Sequence, residues 1–270
     1  MKITFLGGGN MASALIGGLL SKGFLAPDMS VIEINEESHH HLRKLFGVRC
    51  FPAVEPEALE CDVLLLAVKP QQLHQACVPV GPLLQRQTVI SIAAGIRLAD
   101  LSRWLGGYER LVRAMPNTPA LIGAGVTGLY AWPTVSEAER LGAERILQAV
   151  GSTLWVPEEK RIDAVTAISG SGPAYAFLLI EAMQQAALDL GFTPNQARQL
   201  SIETVLGASK LALGSAEPAA TLRERVTSKG GTTEAALRVM AERGVKEAVV
   251  AGALAANERS CELGDFFGKE

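Results

Sequence analysis

The stretch Phe5-Leu6-Gly7-Gly8-Gly9-Asn10-Met11-Ala12 constrains this 270-residue chain more than any other. It follows a short β-type run from Lys2 to Leu6 and leads into Ala14 to Leu20, which reads as a helix. Gly7, Gly9 and Ala12 fill a G-x-G-x-x-G/A pattern. The first allows a tight turn, the second lets backbone approach a pyrophosphate, and the small third packs helix on strand. The free N–H groups at the helix start, around Asn10 and Met11, then face the phosphates. No secretory leader is expected here, because three glycines and Asn10 break the apolar segment that one needs.

Strand and helix patterns alternate from here. Met29 to Ile34 reads as the second strand and Glu36 to Phe46 as the helix behind it. Val48 to Cys50, Val63 to Val68, Thr88 to Ile92, Arg110 to Met115, Gly125 to Tyr130 and Thr153 to Val156 read as further strands, with a helix over Ser136 to Ala149. Ser136 and Glu139 form a capping box at its start. The unbroken apolar run Val63-Leu64-Leu65-Leu66-Ala67-Val68 suits a strand covered on both faces. Residues 1–156 are therefore expected to form a doubly wound α/β domain that binds a dinucleotide.

Open sheets of this kind bind ligands at the C-terminal ends of their strands. Three such ends carry small or polar residues: Lys69-Pro70-Gln71 after Ala67-Val68, then Ala93-Ala94-Gly95, then Pro116-Asn117-Thr118-Pro119. Glu33, about 20 residues beyond the glycine loop, stands where an acidic side chain accepts hydrogen bonds from the adenosine ribose. A solvated charge is the alternative, since Asn35, Glu36 and Glu37 make this corner polar in any case.

Composition excludes several other functions. With a net charge of -3 and scattered basic residues, the chain has no nucleic-acid footprint. No apolar run approaches the about 18 residues that span a bilayer. Cys50, Cys61, Cys77 and Cys261 form no C-x-x-C pair and read as reduced thiols of a cytoplasmic protein. His39-His40-His41 cannot converge on one metal ion, because successive helix residues point about 100° apart. No metal site is expected.

Beyond Pro157 the pattern turns helical, and residues 157–270 are expected to form an all-α domain. Asp163 to Leu190 is a long apolar helix, interrupted near Gly170 to Pro173 and stopped by Gly191. Thr193, Pro194 and Gln196 frame the start of a helix that runs to Gly214. Pro218 to Val226, Thr232 to Arg243 and Val245 to Leu263 complete the set. The last contains Ala248 to Ala256, small on nearly every side, and a helix apolar all round must be buried. So much apolar helix points to a homodimer built from the C-terminal halves, with a self-contained bundle as the alternative.

A second chemical motif, Thr227-Ser228-Lys229-Gly230-Gly231-Thr232-Thr233, runs straight into a helix N-terminus. Its glycines expose N–H groups beside the positive end of the helix dipole, a setting sized for a carboxylate. Ser169-Gly170-Ser171-Gly172-Pro173 is not a nucleophile elbow: it departs from G-x-S-x-G, and every histidine lies before residue 75.

Together these segments resemble the pyrroline-5-carboxylate reductases, the family that catalyses the last step of proline biosynthesis. The match comprises Phe5 to Ala12, Ala67 to Gln71, Ser91 to Gly95, Met115 to Pro119, Ser169 to Tyr175 and Thr227 to Thr233, in the family's order over nearly the whole chain. The resemblance implies an N-terminal Rossmann domain and a helical C-terminal domain that dimerises by interleaving, with dimers assembling further into decamers. It also implies that Ser228, Lys229, Gly230, Gly231, Thr232 and Thr233 hold the substrate carboxylate and that Thr233, the catalytic residue, contacts the ring nitrogen. Lys69, Pro70, Ala93, Ala94 and Asn117 would flank the nicotinamide and its ribose, and one active site would draw on two protomers.

The chain departs from one family pattern. NADPH-using members often carry Asn or Ser followed by Arg at the second strand's end, whereas Glu33 and Ile34 stand here. A carboxylate facing a 2′-phosphate repels it by up to about 4 kcal/mol at about 4 Å in a partly shielded site. NAD(P)H is thus the expected cofactor, with a lean toward NADH. A β-hydroxyacid dehydrogenase is disfavoured because Gly172 to Gln185 lacks the lysine that such enzymes carry. A non-catalytic dinucleotide sensor has no evident need of the intact Gly230 to Thr233 loop.

Overall fold

The computed structural model describes residues 1–269. They group into two compact units: residues 1–171 with 255–269, and Gly172–Leu254.

The first unit is built on an eight-stranded sheet. Its strands are β1 (Ile3–Leu6), β2 (Met29–Ile32), β3 (Arg49–Phe51), β4 (Val63–Leu66), β5 (Thr88–Ser91), β6 (Leu111–Met115), β7 (Gly125–Ala131) and β8 (Gly151–Trp155). They lie in the order β3-β2-β1-β4-β5-β6-β7-β8. All neighbours are parallel except β6 and β7. Strand order reverses between β1 and β4, so the loops leaving these two neighbours diverge and open a crevice at their C-terminal ends.

Around the sheet lie α1 (Asn10–Ser21), α2 (Glu36–Phe46), α3 (Pro70–Cys77), α4 (Leu98–Trp104), α5 (Glu137–Leu147) and α6 (Arg161–Val165). β1, β2, β4 and β5 are buried along their whole length. Alternate side chains feed two cores, one on each face. Phe5, Val31, Leu65 and Ile90 meet α1 and α5 through Leu15, Ile16, Leu19, Ile146 and Leu147. Leu6, Ile32, Leu64, Leu66 and Val89 meet α3 and α4 through Leu73, Leu98 and Leu101. The doubly wound architecture expected from the unbroken apolar runs is present.

The caps fall where the sequence places them. Ser136 and Glu139 close the expected capping box on α5; at the start of α2, Asn35 adds a cap the sequence reading did not name, accepting the Ser38 N–H at 2.9 Å. α3 and α4 are additions to the sequence reading. Both are short, and Pro70 opens α3 as its first residue with Lys69 at the N-cap, so Pro70 belongs to a helix rather than to a loop. α6 passes into a π-helical turn over Thr166–Gly170, which ends where the interruption expected near Gly170 to Pro173 begins.

The second unit contains α7 (Gly172–Asp189), α8 (Pro194–Leu213), α9 (Ala219–Arg225), α10 (Thr232–Glu242) and the first part of α11 (Val245–Phe267). Thr193 and Gln196 form the expected capping box on α8. β8, the last strand of the sheet, ends at Trp155, one residue before the expected boundary at 156. The compact units divide later, however: α6, the π turn and α11 from Ala255 onward group with the sheet. A single chain does not bury its small-residue helix, since Val249 is 55% and Leu254 65% exposed, alongside Phe177 and Leu178 on α7.

Candidate active site

The glycine loop has the geometry that a pyrophosphate needs. Gly7 sits at φ +97°, and a Cβ there would lie 2.8 Å from Val68 Cγ1 and 3.0 Å from the Ala67 carbonyl. Only glycine fits between β1 and the loop leaving β4. Gly9 is the opposite case: a Cβ added there meets nothing within 4 Å. It occupies the N-cap of α1 without a side-chain cap, and the first turn of that helix has no acidic residue. The amides of this turn lack acceptors within the helix, so they present an open, positive helix end. α2 differs, being closed by Asn35 with Glu36 and Glu37 in its first turn.

Beside this loop lies a cavity of ≈ 540 Å³. Gly7, Gly8 and Gly9 line it from β1, Glu33 and Ile34 from β2, Pro52 to Val54 from β3, and Ala67, Val68 and Lys69 from β4. The Glu33 carboxylate is pinned by two backbone donors, the Gly8 N–H to Oε2 and the Asn35 N–H to Oε1, both at 2.9 Å. The His39 ring Nε2 contacts the Glu33 carbonyl oxygen, which fixes the strand end from the other side. Glu33 is therefore not a free surface charge; it is part of the loop's scaffold. Ile34, 86% exposed, forms an apolar ledge next to it. Lys69 is the sole cation among the residues lining this cavity.

Other residues expected to touch a cofactor are placed differently. Ala12 is fully buried in the core and acts by letting α1 pack closely, with no surface left for a ligand. Met11 packs partly against the same core, and Asn10 faces a separate groove along α1. Ala93 is buried in the opposite core, so only the backbone of its loop and the half-buried Ala94 are open to a ligand. The Asn117 amide is already committed, donating to the Ser169 carbonyl at 3.0 Å and accepting the Val126 N–H at 2.8 Å. One end of its amide ties the β6 end to the π turn and the other ties it to β7.

In the second unit, Gly231 is the N-cap of α10, again with no side-chain cap. A Cβ on Gly231 would collide with the Ser228 hydroxyl, so glycine lets that hydroxyl lie close over the turn. Thr227 is committed to the Arg223 carbonyl at 2.6 Å, whereas Thr233, half-buried in the first turn, keeps its hydroxyl free of partners among the described residues. Glu234 accepts the Gly230 N–H at 2.7 Å and so holds the glycine turn to the helix start.

The thiols offer no nucleophile. Burial pushes up Cys50, Cys61 and Cys261, and drives Cys77 to about 12. No group of three His, Cys, Asp or Glu side chains is arranged to hold a metal among the described residues. No helix among them is long and apolar enough to cross a membrane. The sequence reading also missed a buried ion network. Arg113 on β6 is 2% exposed and pairs with Asp163 at 3.1 Å and Glu159 at 3.3 Å, while Asp163 also accepts the Ser260 hydroxyl at 2.9 Å. It fastens α6 and the end of α11 to the sheet.

Known proteins match this chain from end to end. It is 43% identical over 269 residues to the pyrroline-5-carboxylate reductase of Pseudomonas aeruginosa, covering 99% of this chain and 98% of the relative. The chain belongs to the pyrroline-5-carboxylate reductase family. Residues 159–263 match the family described as pyrroline-5-carboxylate reductase dimerisation. Residues 2–95 match that described as NADP oxidoreductase, coenzyme F420-dependent. The Coxiella burnetii pyrroline-5-carboxylate reductase superposes with a TM-score of 0.92 at 40% identity, over 97% of this chain and 98% of that one. The Plasmodium falciparum pyrroline carboxylate reductase, solved with NADP bound, gives 0.86 at 27% identity over 98% of each. Membership in the pyrroline-5-carboxylate reductases agrees with a sheet unit carrying an open glycine loop and a helical unit with a glycine turn of its own.

Proposed function

We propose that this chain reduces 1-pyrroline-5-carboxylate to L-proline with NAD(P)H, the last step of proline biosynthesis. One observation carries the reading beyond family membership. α2, α5 and α8 are closed by the side chains of Asn35, Ser136 and Thr193, whereas α1 and α10 begin at bare glycines, Gly9 and Gly231. Uncapped helix starts attract anions. The reaction has two to hold: a dinucleotide pyrophosphate and a substrate carboxylate.

The open space at Gly9, the uncapped start of α1 and the adjoining cavity fit a dinucleotide. In this reading Gly7 to Gly9 and the first turn of α1 hold its phosphates, Glu33 and Ile34 its adenosine, and the loops at Lys69, Ala94 and Asn117 its nicotinamide end, the last through backbone. When bound, the reduced nicotinamide supplies the hydride that adds to the imine carbon. The Ser228 to Thr233 turn holds the carboxylate, and the free Thr233 hydroxyl hydrogen-bonds the ring nitrogen. The substrate imine is protonated, so the C=N π pair collapses onto a nitrogen that already carries its proton. No strong general acid is required of the protein, and positioning dominates.

The same proposal extends to the state of the protein. Glu33 without a neighbouring arginine favours NADH at least as well as NADPH. The exposed apolar faces of α7 and α11 favour a homodimer through the helical unit, with a decamer as the larger assembly. Four unpaired cysteines suit the cytoplasm.

Initial rates of NADH and NADPH oxidation with pyrroline-5-carboxylate, in parallel at matched concentrations, test the proposal. Turnover with either cofactor is the expected result. A folded dimer that binds dinucleotide yet turns over neither would overturn it.

A further inference from the structure

The Ala93-Ala94-Gly95 loop leaves β5 at the ligand-binding end of the sheet, yet it is not self-supporting. Gly95 sits at φ +73°, and a Cβ there would stand 3.2 Å from Leu263 Cβ and 3.4 Å from the Phe267 ring. The loop backbone thus rests directly on the end of α11. Two residues on, Arg97 reaches along the same helix. Its Nη2 donates to the Cys261 carbonyl at 3.2 Å, and its Nη1 pairs with Asp265 at 2.7 Å. Between these contacts the guanidinium passes close over Gly264, where an added Cβ would approach within 2.9–3.2 Å of its Nε, Nη2 and Cζ.

The ion pair contributes little by itself, since Arg97 is 38% and Asp265 66% exposed. Geometry is the stronger term. Gly264 allows a close approach that no other residue would, and Arg97 turns that approach into a fixed distance between the loop and the helix. The helix end is anchored independently, by Arg103 to the Gly268 carbonyl at 2.8 Å and by Ser260 to Asp163 at 2.9 Å. It therefore serves as a rigid support for the loop.

We propose that Arg97, seated on Gly264, is a positioning residue that sets the Ala93-Ala94-Gly95 loop for the nicotinamide end of the cofactor. The inference rests on the dinucleotide reading above. Arg97 touches no reacting atom in it; it acts through the loop.

Two ligands separate this role from a general structural one. ADP-ribose reports on the glycine loop and Glu33, while NADH also requires the β5 loop. Dissociation constants for both are measured without substrate, on the full-length protein, for wild type, Arg97→Ala, Gly264→Ala and the double variant. The expected result is NADH binding weakened about tenfold in each single variant with ADP-ribose unchanged. The double variant should be no weaker than Arg97→Ala, because Gly264→Ala acts by displacing the guanidinium. Arg97→Lys should recover part of the loss, and it stands in should Arg97→Ala fold poorly. Equal losses for both ligands, unchanged NADH binding, or additive effects in the double variant would overturn the proposal. Failure of the wild type to bind either ligand would instead sink the dinucleotide reading.

Discussion

The backbone N–H of Gly8 donates to the Glu33 carboxylate at 2.9 Å, so the acidic residue at the end of β2 is built into the glycine loop. A charge held by two amides cannot easily swing away from an incoming group, and Oε2 lies 3.4 Å from the Cβ position of Gly8. Its negative potential is thus a fixed feature of the β2 side of the cavity.

A cofactor prediction follows from that fixity. Glu33→Gln preserves an acceptor for the Gly8 N–H and removes only the charge. It should raise the ratio of NADPH to NADH kcat/KM by several-fold. Adding Ile34→Arg supplies a guanidinium for the 2′-phosphate and should carry the ratio up by about tenfold or more, equivalent to about 1.4 kcal/mol. Steady-state kinetics with both cofactors decide it; an unchanged ratio in the double variant would remove Glu33 from any role in selectivity.

Gly7 and Gly9, two residues apart, should fail in opposite ways. Gly7→Ala meets a positive φ and the Val68 side chain, and should cost about 2 kcal/mol of stability. Gly9→Ser enters open space at an N-cap, where serine is a favoured residue, so the free protein should melt no lower than wild type. The added hydroxyl caps the amides that the phosphates need, and dinucleotide affinity should fall at least about tenfold. Thermal melts at matched protein concentration, with binding titrations alongside, separate the two.

The α5 capping box makes a pH prediction. Burial pushes the Glu139 carboxyl up, but the hydroxyl and amide of Ser136, together with Arg110, outweigh it and hold the group below the usual carboxylate range. A carboxylate depressed in the folded state contributes stability above its unfolded pKa of about 4.3, lost as pH falls through the folded value. Ser136→Ala should therefore cost about 1 kcal/mol at pH 7, and the gap to wild type should narrow below about pH 4. A gap independent of pH would mean that the hydroxyl caps the helix without acting on Glu139.

The sequence carried the sheet, the caps and the glycine loop legibly because each is a local pattern. The apolar run at Val63 to Leu66 and the capping signal at Ser136 both need only neighbours to be read. α4 escaped because seven residues hold too few turns to show a period. The Arg113–Asp163–Ser260 network escaped for a different reason: its members are separated by 50 and 97 residues, and only the fold brings them together. Asn117 was read as a ligand contact on its place in a motif, while its side chain serves the backbone around it. The same distinction applies to Ala12, whose value lies in having no side chain to obstruct packing.

Thr233 is the sharpest test of the chemistry. It stands half-buried in the first turn of α10, two residues after a glycine N-cap, with a hydroxyl that no other group among the described residues engages. A threonine placed only to cap its helix would stand at the N-cap position, and that place belongs to Gly231. Thr233→Ala should lower kcat/KM for pyrroline-5-carboxylate at least about tenfold while the melting temperature and the dinucleotide dissociation constant stay put. Thr233→Val should match it, because shape is kept and the hydroxyl is lost. Thr233→Ser should retain most of the activity. Wild-type kinetics in Thr233→Ala would remove the residue from the reaction, and activity kept in Thr233→Val but lost in Thr233→Ser would assign its contribution to packing of the methyl group rather than to the hydrogen bond.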